Sequence, residues 1–249
     1  LADLAVDLSL KAQVAEAIRK GRLPGLGEAD AEDAGGLVAM AMGKMGAGEL
    51  NYSSDIDLIL LFDETRFERA DIAAARAAFV RAARAATATL QDRTAEGYVF
   101  RVDLRLRPDA ATTPVALAMS TAESYYEGVG RTWERAAWIK ARAAAGGVRA
   151  GERFIEALVP FVWRRHLDYA AIQDAHDMRL RIRDHKGYGG PLDLDGHDLK
   201  LGRGGIREIE FFAQTRQLIA GGRDPSLRVR GTVEALARLA AAGWVPADV

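Results

Sequence analysis

Two short apolar runs, Leu37-Val-Ala-Met-Ala-Met42 and Ile56-Asp-Leu-Ile-Leu-Leu-Phe62, constrain the folds open to this chain more than any other feature. Both are too short for core helices, are bounded by turn residues and, in the second case, are rich in branched and aromatic side chains. They are predicted as buried strands. A third run from Tyr98 to Leu106 alternates, with Tyr98, Phe100, Val102, Leu104 and Leu106 on one face. Arg101, Asp103, Arg105 and Arg107 take the other face until Pro108 stops the strand. The Ala/Arg-rich stretch between Phe67 and Asp92 has no Gly or Pro and predicts a long helix. Residues 1–20 predict another, from Leu4, Leu8, Val14 and Ile18 at near-helical spacing. From about Ser120 onward the pattern is helical only, over 131–145, 148–166, 169–186, 206–220 and 232–242, with 187–205 as one long Gly/Asp-rich loop. The expected class is α+β: a mixed sheet with flanking helices, then an all-helical domain. The expected division is an N-terminal helical segment at 1–34, a catalytic domain at 35–145 and a helical domain at 146–249.

The chemistry concentrates at the start of the second strand. Asp55 and Asp57 are two residues apart, so a strand puts both carboxylates on one face. Two such charges disfavour each other unless a cation lies between them. Hard oxygen donors at this spacing suit Mg²⁺ or Mn²⁺, which take further ligands from substrate phosphates. Asp103 supplies a third carboxylate from the polar face of the third strand, and these three are the candidate catalytic and metal-binding residues. A pair of aspartates alone is a weak signal, and a solvated strand start is the plain alternative. The context strengthens it: the first strand ends in Gly43-Lys-Met-Gly46, a small-residue turn whose backbone can approach a phosphate. That turn is neither a P-loop nor a dinucleotide-binding fingerprint.

Arg105 and Arg107 share the face of Asp103. They either clamp a phosphate or pair with the aspartates. Ser54 either donates to a phosphate or closes a turn. Lys44 is expected to face solvent and Trp133 to pack in a core, while Glu134 either supports the site from outside or is simply a polar residue of its helix. Arg207, Glu208 and Glu210 open a helix, where acidic side chains suit the dipole in any case. The histidines at 166, 176, 185 and 197 lack zinc-site spacing.

A formal net charge of −1 gives no electrostatic case for a nucleic acid or an anionic membrane. No apolar run approaches the roughly 20 residues of a membrane helix. The absence of cysteine removes disulfides, thiolate zinc sites and cysteine nucleophiles, and fits a cytoplasmic protein. The chain starts at Leu1 without a methionine and is expected to be part of something longer.

Gly43 at a strand end, Ser54-Asp-Ile-Asp57 beyond it, and a lone aspartate on a third strand resemble the nucleotidyltransferase superfamily. Longer stretches narrow the likeness. Gly43-Lys-Met-Gly-Ala-Gly-Glu-Leu-Asn-Tyr-Ser-Ser-Asp-Ile-Asp-Leu-Ile-Leu60 resembles the bifunctional glutamine synthetase adenylyltransferase/deadenylylase family. So do Phe100-Arg-Val-Asp-Leu-Arg-Leu-Arg-Pro108, Gly130-Arg-Thr-Trp-Glu-Arg135, Ile139-Lys-Ala-Arg142 and Leu199-Lys-Leu-Gly-Arg-Gly-Gly-Ile-Arg-Glu-Ile-Glu-Phe211. The stretches around Glu49, Asp103 and Ile206–Phe211 resemble the N-terminal, adenylyl-removing half. The resemblance implies phosphorolytic removal of AMP from a glutamine synthetase tyrosine, releasing ADP with Mg²⁺ or Mn²⁺. Asp55, Asp57 and Asp103 would be the metal ligands, with Gly43, Ser54, Arg105 and Arg107 binding nucleotide or phosphate. Glutamine synthetase, ADP or ATP, inorganic phosphate and a nitrogen-signalling regulatory protein are the implied partners. Two alternatives stay open: adenylyl transfer from ATP to a protein tyrosine, and a non-catalytic nucleotide-sensing module.

Overall fold

A computed structural model describes residues 1–165 and 195–246. The chain divides into two compact units, one of Leu1–Val129 with Lys140–Leu158 and one of Gly130–Ile139 with Val159–Val249. The predicted helix over 169–186 and the first part of the loop over 187–205 lie outside the described residues, as do His166, His176 and His185.

The first unit is built on a mixed sheet. Strand β1 (Leu37–Ala41) is buried at every position, and β2 (Ile56–Phe62) at every position but Asp57. Strands covered on both faces read as continuous apolar runs rather than alternating ones, which is why these two were legible. They pair antiparallel from Leu37 against Phe62 to Ala41 against Leu58. The other edge of β2 takes two short parallel partners in succession. β3 (Val102–Asp103) lies beside Ile56 and Asp57, and β4 (Ala116–Ala118) lies beside Leu60 to Phe62. A fifth strand, β5 (Arg142–Gly146), pairs antiparallel with β1.

Helix α1 (Ala2–Arg19) and helix α3 (Ile72–Gln91) pack together over this sheet. The buried face of α3 is Ala75, Ala78, Phe79, Ala82, Ala83, Ala86 and Leu90, and its alanines let α1 approach closely. Phe79 stacks on Phe62 at 5.0 Å between ring centroids and meets Phe67 edge-on at 5.7 Å. Such contacts are worth about 0.5–1.5 kcal/mol each beyond their burial. They tie the C-terminal end of β2 to the helix layer.

Three expectations needed correction. The helix predicted over 131–145 ends at Ile139, as α5 (Thr132–Ile139), and the Ala-rich remainder is strand β5. Alanine favours helix, but hydrogen bonding to the open edge of β1 outweighs that propensity. Small side chains are needed there, because α6 (Val148–Ala157) lays Gly151 on the strand. A β-carbon on Gly151 would stand 2.7 Å from that of Ala143. The third strand, predicted over 98–106, is only Val102–Asp103. Before it, the amides of Val99 and Phe100 both donate to the carbonyl of Leu90. After it, the Asp103 carboxylate accepts the amide of Arg105 at 2.8 Å and turns the chain away. Finally, α1 forms as predicted but buries Val6, Leu10 and Val14, leaving Leu4 and Leu8 exposed.

In the second unit, α5, a short α7 (Val159–Val162), α8 (Ile206–Ala220) and α9 (Thr232–Ala241) form a helical assembly. Gln217 on α8 is buried and donates to the carbonyls of Leu227 and Val229, both at 2.8 Å, which fixes the turn leading to α9. Among the described residues no helix is long and apolar enough to cross a membrane.

Candidate active site

The register of β2 and β3 sets the site. Asp57 and Asp103 are paired positions on adjacent parallel strands, so their side chains leave the sheet on the same face, with backbones about 4.8 Å apart. Asp55 precedes Asp57 by two residues and joins that face. The turn expected after β1 is a single helical turn, α2 (Gly43–Ala47). Gly43 has φ +51°, and a β-carbon there would sit 3.0 Å from Oδ2 of Asp57. Glycine is therefore required at this position on two counts, backbone angle and clearance of the carboxylate.

Two ion pairs brace this corner. Arg142 makes a bidentate pair with Asp3 at 2.8 and 2.9 Å and donates to the carbonyl of Met45 at 3.2 Å. Lys140, whose side chain is 3% exposed, pairs with Glu49 at 3.1 Å. Between them they anchor α2 and the loop that runs on to Asp55.

The predicted residues fall into two groups. Gly43, Asp55, Asp57, Asp103 and Arg105 come together at the N-terminal end of β2. Ser54 lies next to them, but its Oγ accepts the amide of Asn51 at 3.1 Å and closes a turn. Arg107 points at its own loop, donating to the carbonyls of Leu104 and Ala110 at 2.7 Å and of Thr113 at 3.1 Å. In the second unit, Glu134 accepts the amide of Arg131 at 2.8 Å and Glu208 that of Gly204 at 2.9 Å, so both cap helix starts.

Arg101 is the residue that the sequence reading left out. Its Nε donates to Oδ1 of Asp55 and its Nη2 to the carbonyl of Ser53, while its Nη1 reaches the Tyr98 hydroxyl at 2.6 Å. It stood in the sequence on the same polar face as Asp103, and that shared face was the available signal. Arg105 grips Asp103 in the same way, with Nε–Oδ2 at 2.9 Å and Nη2–Oδ2 at 2.5 Å. Among the described residues no three acidic or imidazole groups converge closely enough to hold a cation. The guanidiniums of Arg101 and Arg105 occupy oxygens of Asp55 and Asp103. The donor set still suits a hard divalent cation: carboxylates on one face, with the Gly43 side left clear.

Arg105 holds the Asp103 carboxyl below the usual carboxylate range, against the opposing effect of its partial burial. Stability from this pair is present above the ordinary aspartate value of about 3.9 and is lost as pH falls through the lower folded value. Arg105→Gln should move the Asp103 titration, followed by carboxyl-carbon NMR, back toward the ordinary range. An unmoved titration would show that the guanidinium is not its cause.

A cavity of about 470 Å³ opens at the other end of β1 and β2, lined among others by Asp33, Asp63, Arg66, Arg149 and Arg153. Arg66 there is committed to Asp30 and Asp33. Five residues of strand, ~16 Å, separate this end from Asp57.

The comparisons with known proteins identify the family. The family model described as Glutamate-ammonia ligase adenylyltransferase matches residues 1–157. The chain belongs to that family. A second model, GlnD PII-uridylyltransferase, matches residues 175–249. Three relatives are each named bifunctional glutamine synthetase adenylyltransferase/adenylyl-removing enzyme. The one from Bradyrhizobium sp. (strain ORS 278) is 54% identical over 98% of this chain and 25% of its own length. That from Rhodopseudomonas palustris (strain ATCC BAA-98 / CGA009) is 51% identical over 98% and 25%. That from Agrobacterium fabrum (strain C58 / ATCC 33970) is 50% identical over 100% and 25%. The chain thus spans about a quarter of the length of these relatives.

Proposed function

We propose that this chain removes AMP from an adenylylated tyrosine of glutamine synthetase by phosphorolysis, releasing ADP. The observation that carries the reading is the in-register pair Asp57 and Asp103, with Gly43 beside it, in a chain whose relatives are named for adenylyl transfer and removal. Asp55, Asp57 and Asp103 would hold Mg²⁺ or Mn²⁺, which supplies charge neutralisation at the phosphates and at the leaving phenolate. An oxygen of inorganic phosphate attacks the phosphorus of the AMP group. The bond to the tyrosine oxygen breaks, ADP forms, and the phenolate takes a proton.

The state of Asp103 favours this direction. Phosphate is already anionic near neutral pH and asks for no base, whereas attack by a tyrosine hydroxyl does. A carboxylate that serves as a ligand to a divalent cation is a poor proton acceptor. Arg105, with its side chain 86% exposed, is free to swing onto the incoming phosphate.

The test is incubation of the chain with adenylylated glutamine synthetase, phosphate and Mg²⁺. ADP should appear in proportion to phosphate, without free AMP, because water is not the nucleophile. Transfer of AMP from ATP onto unmodified glutamine synthetase, with no phosphorolysis, would reverse the assigned direction.

A further inference from the structure

Arg101 and Arg105 flank β3, and each meets one of the carboxylates assigned to the cation. The two are held differently. Arg101 is fixed on several sides, by Asp55, by the Ser53 carbonyl, and by Tyr98 through both its hydroxyl and its ring face at 5.7 Å. Arg105 is held by Asp103, with its guanidinium largely in solvent. A carboxylate gripped by a guanidinium offers the same lone pairs that a divalent cation needs. It cannot serve both fully at once.

We propose that Arg101 and Arg105 are exchangeable counter-ions of the catalytic carboxylates, displaced by the divalent cation and then turned onto the phosphates of the nucleotide. The inference rests on the reading of Asp55, Asp57 and Asp103 as metal ligands. A cation arriving alone has to open ion pairs whose arginines then lack anionic partners. Arriving with a nucleotide, it releases arginines that have phosphates to bind, and these accept a guanidinium in bidentate fashion. Cation and nucleotide therefore assist each other, and by linkage the effect is reciprocal. The pairs are suited to exchange because they are exposed, and exposed ion pairs are weak.

Electron paramagnetic resonance of Mn²⁺, titrated into the chain without and then with ADP, reads this directly. Arg101→Gln and Arg105→Gln should each bind Mn²⁺ alone about 1.5- to fivefold more tightly than wild type, the range set by an exposed ion pair. The strengthening of Mn²⁺ binding by ADP should shrink in both. The gain should be larger for Arg101→Gln, whose arginine is better anchored on its carboxylate. Arg149→Gln makes the same charge change at an exposed position at the other end of the sheet and should match wild type. Arginine variants that bind Mn²⁺ no more tightly than wild type, while Asp57→Asn loses it, would overturn the exchange and leave the metal-ligand reading standing. Equal gains in Arg149→Gln would also overturn it, by reducing the effect to net charge. Undiminished Mn²⁺ binding in Asp57→Asn would remove the metal-ligand reading itself, and the exchange with it.

Discussion

Asp57→Asn should lower the rate of ADP release by on the order of 10³-fold or more, the scale of losing preorganised charge stabilisation at a reacting phosphate. The fold should survive. The change keeps the shape of the side chain at the one β2 position that is not fully buried. It also removes a negative charge placed in register with Asp103, so stability is expected to stay level or rise slightly. Circular dichroism and thermal unfolding check the fold, and ADP release checks the chemistry. Asp103→Asn should lose activity to a similar degree, and raising the pH should not restore it, because the missing group is an anionic ligand rather than a base. Recovery at high pH would give Asp103 a proton-transfer role. An Asp57→Asn variant within about tenfold of wild type would remove the carboxylates from the mechanism, since the scale expected for such a loss is far larger.

Gly46→Ala should be among the most destabilising single-methyl additions in the first unit. A β-carbon at Gly46 would lie 2.0 Å from the carbonyl oxygen of Lys140 and 2.5 Å from that of Ala41. Both are backbone atoms, one at the end of β1 and the other in the turn that leads into β5, so neither can swing aside. α2 cannot retreat easily either, because Arg142 holds the Met45 carbonyl and Lys140 holds Glu49 on either side of it. Overpacking against rigid backbone places the loss at about 4 kcal/mol or more. In a chain of this size that lowers the melting temperature by roughly 10 °C, or prevents folding. Gly48→Ala is the matched control. Gly48 has φ +74° but nothing within 4 Å of its added β-carbon, so it should lose only the ~1–2 kcal/mol of a left-handed alanine. Equal stability of the two variants in urea denaturation would show that the α2 corner is loosely packed.

How far the site was readable follows from which interactions make it. Asp55, Asp57 and Gly43 lie on or next to strands covered on both faces, and such strands announce themselves as apolar runs. The acids stand out against that background. Asp103 was legible through alternation, although the strand that carries it is only two residues long. Its neighbours were not. Arg105 and Arg107 look equivalent in sequence, two residues apart on one face. Yet one turns back onto Asp103 and the other is consumed by carbonyls of its own loop. Arg101 gave no more signal than either, and it is the one that meets Asp55.

By itself the sequence determined the buried strands, the helices bounded by Gly and Pro, and the pairing of two acids on one face, because hydrophobic period and turn chemistry are local. Only the tertiary structure decided that 142–146 is a strand and not a helix, because an open edge on β1 outbids the propensity of alanine. It also decided that β3 runs parallel to β2 with Asp103 beside Asp57, a register fixed by partners 46 positions away in the chain. Which arginine reaches which carboxylate was settled there too, since long flexible side chains choose among partners that only folding brings within reach.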